Sequence, residues 1–360
     1  GCCGEVCEVS RKKRILHKKA RSADRAFFAF PDFTARELTK AHETDKIGMY
    51  FAKGAAAAAR AIGMKKSQTK YILILFLTAI IWGFAFPFQL QGGNALGAFW
   101  FNAIRYAIGA LSLVPVILIF EREGRDAAKL RRTLGGGAVC GVILFAATTL
   151  QQLGMQATQS SAKTGFITGL YMIFVPFCGI FMHRRVRPEA WLGAAVAVLG
   201  LYFVSFQSGD TAFQPGDLIT LAGALFWTAH IVAIDKLSPN TSAIKFSMAQ
   251  FVVCGALCVI FALAFRETVS SELICTAAVP LLYCGIMSSG VAYTCQVIGQ
   301  RGTEPALASI ILCTESVFSA VGAFFILHEN LGVRGYIGCA LMFVGIILSQ
   351  LNVFKSKKAA

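Results

Sequence analysis

Two ionisable side chains, Arg105 and Glu315, stand deep inside long apolar runs of the sequence. A charge at such depth in a membrane is costly, and it usually faces a cavity or another charge. Arg105 lies about a third of the way along its run and offers a fork of donors that fits a carboxylate. Glu315 lies near the middle of its run, where a carboxyl could accept and release a proton as access alternates. Arg105 could equally hold Glu315 ionised, and a buried ion pair that only fixes helix register is the plainer alternative.

Other residues extend this set. At 1.5 Å per residue, Trp82 and Trp227 sit roughly 15–18 Å into their runs, too deep for an interfacial aromatic belt. A deep indole N–H needs a partner, so the two tryptophans are cavity walls or packing residues. Tyr171 near a midplane, and Gln250 at a depth matching Arg105, are candidate polar lining. Gln151 and Gln296 fall near opposite mouths. Lys163 lies within about a turn of an outer end, where it can snorkel as an anchor or serve as a gate charge. Pro176 interrupts its run and is a candidate hinge. His230 reads more simply as a hydrogen-bonding group than as a titrating switch.

Enzyme chemistry is harder to find. There is no His-x-x-x-His, no Gly-x-Ser-x-Gly and no phosphate-cradling loop. Gly135-Gly136-Gly137 is not followed by Lys-Ser or Lys-Thr, and it reads as close packing or a flexible helix entry. Of twelve cysteines, Cys2, Cys3 and Cys7 sit at the N-terminus, and the other nine fall in or beside apolar runs as small hydrophobes. No metal site, no cofactor and no direct ATP drive are expected.

The elements that position these residues follow from composition. The 360 residues are 56% hydrophobic and 15% charged, with net charge +15 and mean hydropathy +0.62. That excludes an ordinary soluble enzyme, a disordered chain and a histone-like basic protein. Ten apolar segments run about 70–89, 97–120, 135–153, 159–182, 189–206, 217–235, 245–265, 275–299, 305–327 and 331–353, each near the length of a spanning helix. Period-2 alternation is absent, so helices rather than a barrel are expected.

The charge then becomes topology. With the N-terminus inside, seventeen Lys/Arg fall on inner segments, from Lys65 through Arg131, Arg184, Lys236 and Arg301 to Lys358. The outer loops hold only Arg266 and Arg334, with Lys163 just inside the outer end of the fourth run, so both termini are expected in the cytoplasm. No nucleic-acid partner is implied. Residues 1–63 carry +6 of the charge and have no apolar signal core. Met64 is expected to start the functional unit; a real cytosolic extension with its own partner is the alternative. The expected organisation is 1–63 as an extension, 64–206 as a first five-helix repeat and 207–360 as a second.

A shift of 145 positions aligns the halves: Trp82 with Trp227, Phe101 with Phe246, Arg105 with Gln250, Gln151 with Gln296, Thr158 with Thr303, His183 with His328, and Gly193 and Gly200 with Gly338 and Gly345. An odd number of spans per half makes the halves face opposite ways. The expected fold is all-α, ten transmembrane helices as two inverted five-helix repeats, a plan that suits alternating access about a midplane site. The four glycines assign spans five and ten to scaffold.

The strings Ile81-Trp82-Gly83-Phe84-Ala85-Phe86, Lys163-Thr164-Gly165-Phe166-Ile167-Thr168-Gly169-Leu170-Tyr171, Ala292-Tyr293-Thr294-Cys295-Gln296-Val297 and Thr314-Glu315-Ser316-Val317-Phe318 resemble the EamA-type family of the drug/metabolite transporter superfamily. The likeness covers about 65–353 and includes Trp82, Gly83, Arg105, Tyr171, Pro176 and Glu315. It departs at Arg184, where an acidic residue is frequent, although the counterpart Glu329 is acidic. Residues 1–63 have no equivalent. The resemblance implies a ten-helix inner-membrane carrier exporting amino acids, metabolites or drugs, often with proton coupling.

The expected function is therefore a secondary transporter of a small metabolite in the cytoplasmic membrane. Its partners would be the solute, the bilayer and protons, with a homodimer as a further possibility. A membrane enzyme acting on a lipid-linked substrate, or a non-transporting interaction protein, is the alternative.

Overall fold

The computed structural model describes residues 66–120, 126–175, 188–205, 214–303 and 305–356. Pro176, the basic loop 183–187 and residues 1–63 lie outside them. The chain divides between Leu73 and Ile74. Of the part before that division only 66–73 are described, as the opening turns of α1, and all packing reported below lies within 74–360.

The described residues form helices α1 (Lys66–Leu96), α2 (Ala98–Phe120), α3 (Ala127–Thr158), α4 (Ser161–Gly169), α5 (Pro188–Ser205), α6 (Pro215–Leu237) and α7 (Ala243–Ala264). There follow α8 (Ser271–Thr276), α9 (Ala278–Leu282), a π-helical stretch (Tyr283–Tyr293), α10 (Thr294–Arg301), α11 (Pro305–Cys313), α12 (Glu315–Leu327) and α13 (Gly332–Ser356). Their ends carry local signals. Asp126 caps α3 by accepting from Ala128 N and Lys129 N at 3.0 and 3.1 Å, and Ser242 caps α7 through Lys245 N at 3.1 Å. Gly97 takes φ +82°, which lets the chain turn from α1 into α2 within one residue.

Six stretches are long and apolar enough to cross a membrane: Thr69–Leu96, Ala98–Ile119, Ala127–Thr158, Pro215–Leu237, Ala243–Ala264 and Ala278–Arg301. Shorter apolar helices occupy Ser161–Val175, Trp191–Gly200, Ile311–Leu327 and Gly332–Gly345. The protein is a multi-pass membrane protein, and its burial pattern agrees. Leu111, Leu118, Ile119 and Val142 are exposed, whereas Arg105, Lys163, Asp217 and Glu315 are buried. Apolar groups face lipid, and polar groups face one another.

Four of the expected spans differ from the sequence reading. The third span is not 135–153 but a helix of 32 residues, about 48 Å long at 1.5 Å per residue. Gly135–Gly137 lie inside it. A Cβ on Gly137 would come within 2.7 Å of Phe246 O and Ala249 Cβ, so the run serves close packing on α7 rather than a flexible entry. The fourth and ninth spans are broken, at Leu170 and Thr314, by turns in which the backbone N–H bonds three residues back, each at 3.2 Å. The eighth is assembled from short helices around the π-helical stretch. Small residues there let two backbones meet: a Cβ on Gly285 would lie 2.6 Å from the Ile108 side chain, and one on Gly109 would lie 2.7 Å from Ser289 Cβ.

Helices α5 and α13 pack backbone to backbone. A Cβ on Gly200 would meet Gly338 O at 2.6 Å, and one on Gly345 would meet Gly193 O at 2.6 Å. Small residues are what permits such an approach in lipid. Neither helix contributes to the cavity described next.

Candidate functional site

The cavity lies where α1, α2, α3, α6, the π-helical stretch, α10, α12 and the residues flanking the Leu170 break converge. Its thirteen lining residues are each at most 9% exposed, so it lies buried within the helices. The space open to the centre of a water molecule is only about 30 Å³, room for about two waters. A solute of several heavy atoms would require the walls to move apart.

One wall is cationic. Arg105, 1% exposed, donates from Nε to Asn102 Oδ1 at 2.9 Å and from Nη2 to Tyr106 Oη at 3.1 Å. Two of the five guanidinium N–H donors are thereby used. Its charge lies 4.6 Å from the Tyr106 ring centroid and 5.7 Å from that of Phe101. Such contacts are worth about 2 kcal/mol when desolvated, less than the several kcal/mol that burying an ion costs. Arg105 makes no ion pair with Glu315; among the described residues the ion pair formed inside the bundle is Lys163–Asp217.

The facing carboxyl has a different partner. Tyr171 Oη donates to Glu315 Oε1 at 2.9 Å. Each of the two residues immediately follows a helix break, so the breaks bring them together.

Aromatic rings close the middle. Trp82 and Trp227 are 6.4 Å apart between centroids. Tyr293 lies against both, edge-on to Trp82 at 4.8 Å and stacked on Trp227 at 6.2 Å. Its hydroxyl is 3.3 Å from Tyr106 Oη, which links the ring cluster to Arg105. The two indoles are not equivalent. Trp82 Nε1 donates to Ser288 O at 3.2 Å, whereas Trp227 Nε1 is buried with no partner. Gln296 Oε1 is likewise unpartnered. The wall therefore presents an unused indole donor and an unused amide acceptor beside a cation.

Of the residues singled out in the sequence, Trp82, Arg105, Gln151, Tyr171, Trp227, Gln296 and Glu315 line the cavity. Gln151 Nε2 donates to Thr168 Oγ1 at 3.1 Å. Gln250 does not line it. It stands one layer back, its Oε1 3.0 Å from His230 Nε2, and the His230 ring rests on Trp227 and Tyr293. Lys163 does not reach the surface: its ammonium pairs with Asp217 Oδ1 at 2.9 Å, with both side chains almost wholly buried. Sequence reading passed over Tyr293, Ser288, Thr168 and Gln89. The signal for Tyr293 was available in the string Ala292–Val297.

Among the described residues no cluster of three His, Cys, Asp or Glu could hold a metal.

The sequence profile of the EamA-like transporter family matches residues 69–206 and again 214–351, so the second match begins 145 residues after the first. An uncharacterized transporter of Archaeoglobus fulgidus is 28% identical over 284 residues, covering 78% of this chain and 85% of its own. The uncharacterized transporter YoaV of Bacillus subtilis is 21% identical over 300 residues, covering 81% of this chain and all of its own length. The protein WALLS ARE THIN 1 of Arabidopsis thaliana is 20% identical, covering 72% of this chain and 77% of its own. A crystal structure covering 79% of this chain and 97% of its own superposes with a TM-score of 0.59 at 19% identity, a likeness of fold.

Proposed function

Because the chain belongs to the EamA-like transporter family, we propose that it is a secondary transporter that moves a small carboxylate-bearing solute by alternating access. The observation that carries this reading is the buried guanidinium of Arg105, without an ion-pair partner, on the wall of a narrow buried cavity. A solute carboxylate there would use guanidinium donors that the protein leaves free and would offset the cost of the buried cation. Trp227 Nε1 and Gln296 Oε1 would meet further polar groups of the solute. The rings of Trp82, Trp227 and Tyr293 would enclose an apolar portion.

Alternating access is supported by the duplication. In an inverted arrangement of two five-helix repeats the halves exchange conformations around a midplane site. Trp82 and Trp227 occupy equivalent repeat positions and touch, which suits residues flanking a two-fold axis. Contacts recur at the same spacing. Gln156 Nε2 donates to Gly93 O at 2.7 Å, and Arg301 Nη2, 145 residues on, donates to Ser238 O at 2.7 Å. The donor is neutral at the end assigned to the outside and cationic at the end assigned to the cytoplasm, in keeping with both termini inside.

Glu315 is the coupling group in this reading. The carboxyl would take up a proton in one access state and lose it in the other, with Tyr171 Oη as its hydrogen-bond partner in the closed form. Export across the cytoplasmic membrane would follow, with the proton moving the opposite way. Proteoliposomes loaded with single carboxylate solutes and assayed with and without a pH gradient test this. Gradient-driven flux of at least one solute is expected, and flux of none across a broad carboxylate set contradicts it.

A further inference from the structure

The ends of the cavity are not held alike. Lys163 stands in the first turn of α4, and its Nζ meets Asp217 Oδ1, in the first turn of α6, at 2.9 Å with both side chains at 6% exposure or less. Asp217 Oδ2 is occupied separately, accepting from Gln214 N at 3.2 Å. Oδ1 has no hydrogen-bond partner besides this ion-pair contact.

The same helix is held from a second side. The carboxylate of Glu329, between α12 and α13, accepts from the Ser160 hydroxyl, from Ser161 N at 3.1 Å, from Ser161 Oγ at 3.0 Å and from Ala162 N at 3.3 Å. A carboxylate on the exposed N–H groups of a helix start is favoured by hydrogen bonding and by the helix dipole. α4 belongs to the first repeat, whereas Asp217 and Glu329 belong to the second. α4 leads directly to Thr168, Leu170 and Tyr171 on and beside the cavity wall, so this end cannot part without breaking both attachments.

The equivalent positions at the other end lack this chemistry. Lys163 corresponds to Ala308, Asp217 to Ile72 and Glu329 to Arg184 at the 145-residue spacing. These three positions therefore do not repeat the lysine–aspartate pair, and the capping glutamate corresponds in sequence to an arginine.

We propose that Asp217 and Glu329 form a two-carboxylate clamp on the start of α4, with Lys163 as its central contact, that holds the outer end of the carrier shut and biases the resting protein toward closure on that side. The clamp rests on the alternating-access reading and on the assigned orientation. Opening outward requires the Lys163–Asp217 pair to separate, which leaves two buried charges to be hydrated as water enters. Cargo binding would offset that cost.

The test needs no cargo. In the full chain, Gln151→Cys places a thiol on the cavity wall. A membrane-impermeant maleimide is applied to right-side-out or to inside-out vesicles, and peptide-level mass spectrometry reads residue 151 alone. Lys163→Met, Asp217→Asn and the double substitution should each raise labelling from the outside about tenfold, the scale of a modest population shift. The reversed pair, Lys163→Asp with Asp217→Lys, should bring labelling back toward the parent. Glu329→Gln should give a smaller rise. A purely architectural pair behaves differently: single substitutions lower the yield of monodisperse protein, the neutral double restores it, and the labelled side never changes. That pattern overturns the clamp. A rise confined to inside-out vesicles supports the clamp and overturns the orientation. Failure of every solute to move in proteoliposomes, with the labelling shifts intact, overturns the transport reading and leaves the clamp standing.

Discussion

Trp82 and Trp227 stand at equivalent positions of two repeats and meet 6.4 Å apart, yet only the first has its indole N–H satisfied, by Ser288 O. Equal residues therefore do unequal work. Trp82 ties α1 to the π-helical stretch, whereas Trp227 Nε1, beside the cavity, has no partner.

This inequality gives the first prediction. Trp227→Phe should raise the KM for the cargo about three- to tenfold and leave thermal stability nearly unchanged, since no protein hydrogen bond is lost. Trp82→Phe should lower Tm, because Ser288 O loses its indole donor. Fluorescence-detected unfolding beside initial-rate transport separates the two; equal effects on both readouts contradict the assignment.

The Tyr171–Glu315 contact gives the second. Glu315→Gln removes the exchangeable proton and keeps the size of the side chain. Transport driven by a pH gradient should vanish, while exchange of labelled for unlabelled cargo at equal pH should persist. Tyr171→Phe should retain the gradient response at reduced rate. Undiminished gradient-driven flux in Glu315→Gln would sink the coupling role.

Much of this site was legible because polar residues are rare in apolar runs. Arg105, Glu315, Trp82 and Trp227 are conspicuous for that reason, and the 145-residue spacing pairs the tryptophans. The Lys163–Asp217 pair was not legible. Its members are 54 positions apart, and each taken alone reads as a charge near an interface. The break at Thr314 has no Gly or Pro to announce it; a local side-chain bond accompanies the turn, with Thr314 Oγ1 donating to Ile311 O at 2.7 Å. Among 30 Phe and 8 Tyr composition does not mark Tyr293; only the string Ala292–Val297 points to it. The π-helical stretch packs closely on α2 at Gly109 and Gly285, a contact that the sequence alone does not reveal.

Tyr106 positions Arg105 and bridges it to Tyr293. Tyr106→Phe should raise KM about three- to tenfold with little change in the maximal rate, corresponding to the ~0.5–1.5 kcal/mol of one hydrogen bond. The effect should disappear in an Arg105→Gln background, because the hydroxyl acts through the guanidinium. Additive effects of the two substitutions would show that Tyr106 acts on its own.

The α5–α13 contact should be separable from transport specificity. Gly200→Leu places atoms where Met342 N and Gly338 O already lie, at 2.5 and 2.6 Å from a Cβ. Overpacking of this kind costs about 1–3 kcal/mol, so the yield of folded protein should drop while the KM of the surviving fraction is unchanged. A changed KM with normal yield would place these helices on the pathway.

The most direct test of the central claim is counterflow in proteoliposomes with a transported carboxylate solute, its methyl ester and its amide, for the parent protein and for Arg105→Gln. The parent should prefer the free carboxylate by about ten- to a hundredfold, as expected for a hydrogen bond to a charged group worth about 1.5–3 kcal/mol, and Arg105→Gln should abolish that preference. Equal transport of acid, ester and amide by the parent, or an unchanged preference in Arg105→Gln, would contradict the assignment of Arg105 as the group that receives the cargo.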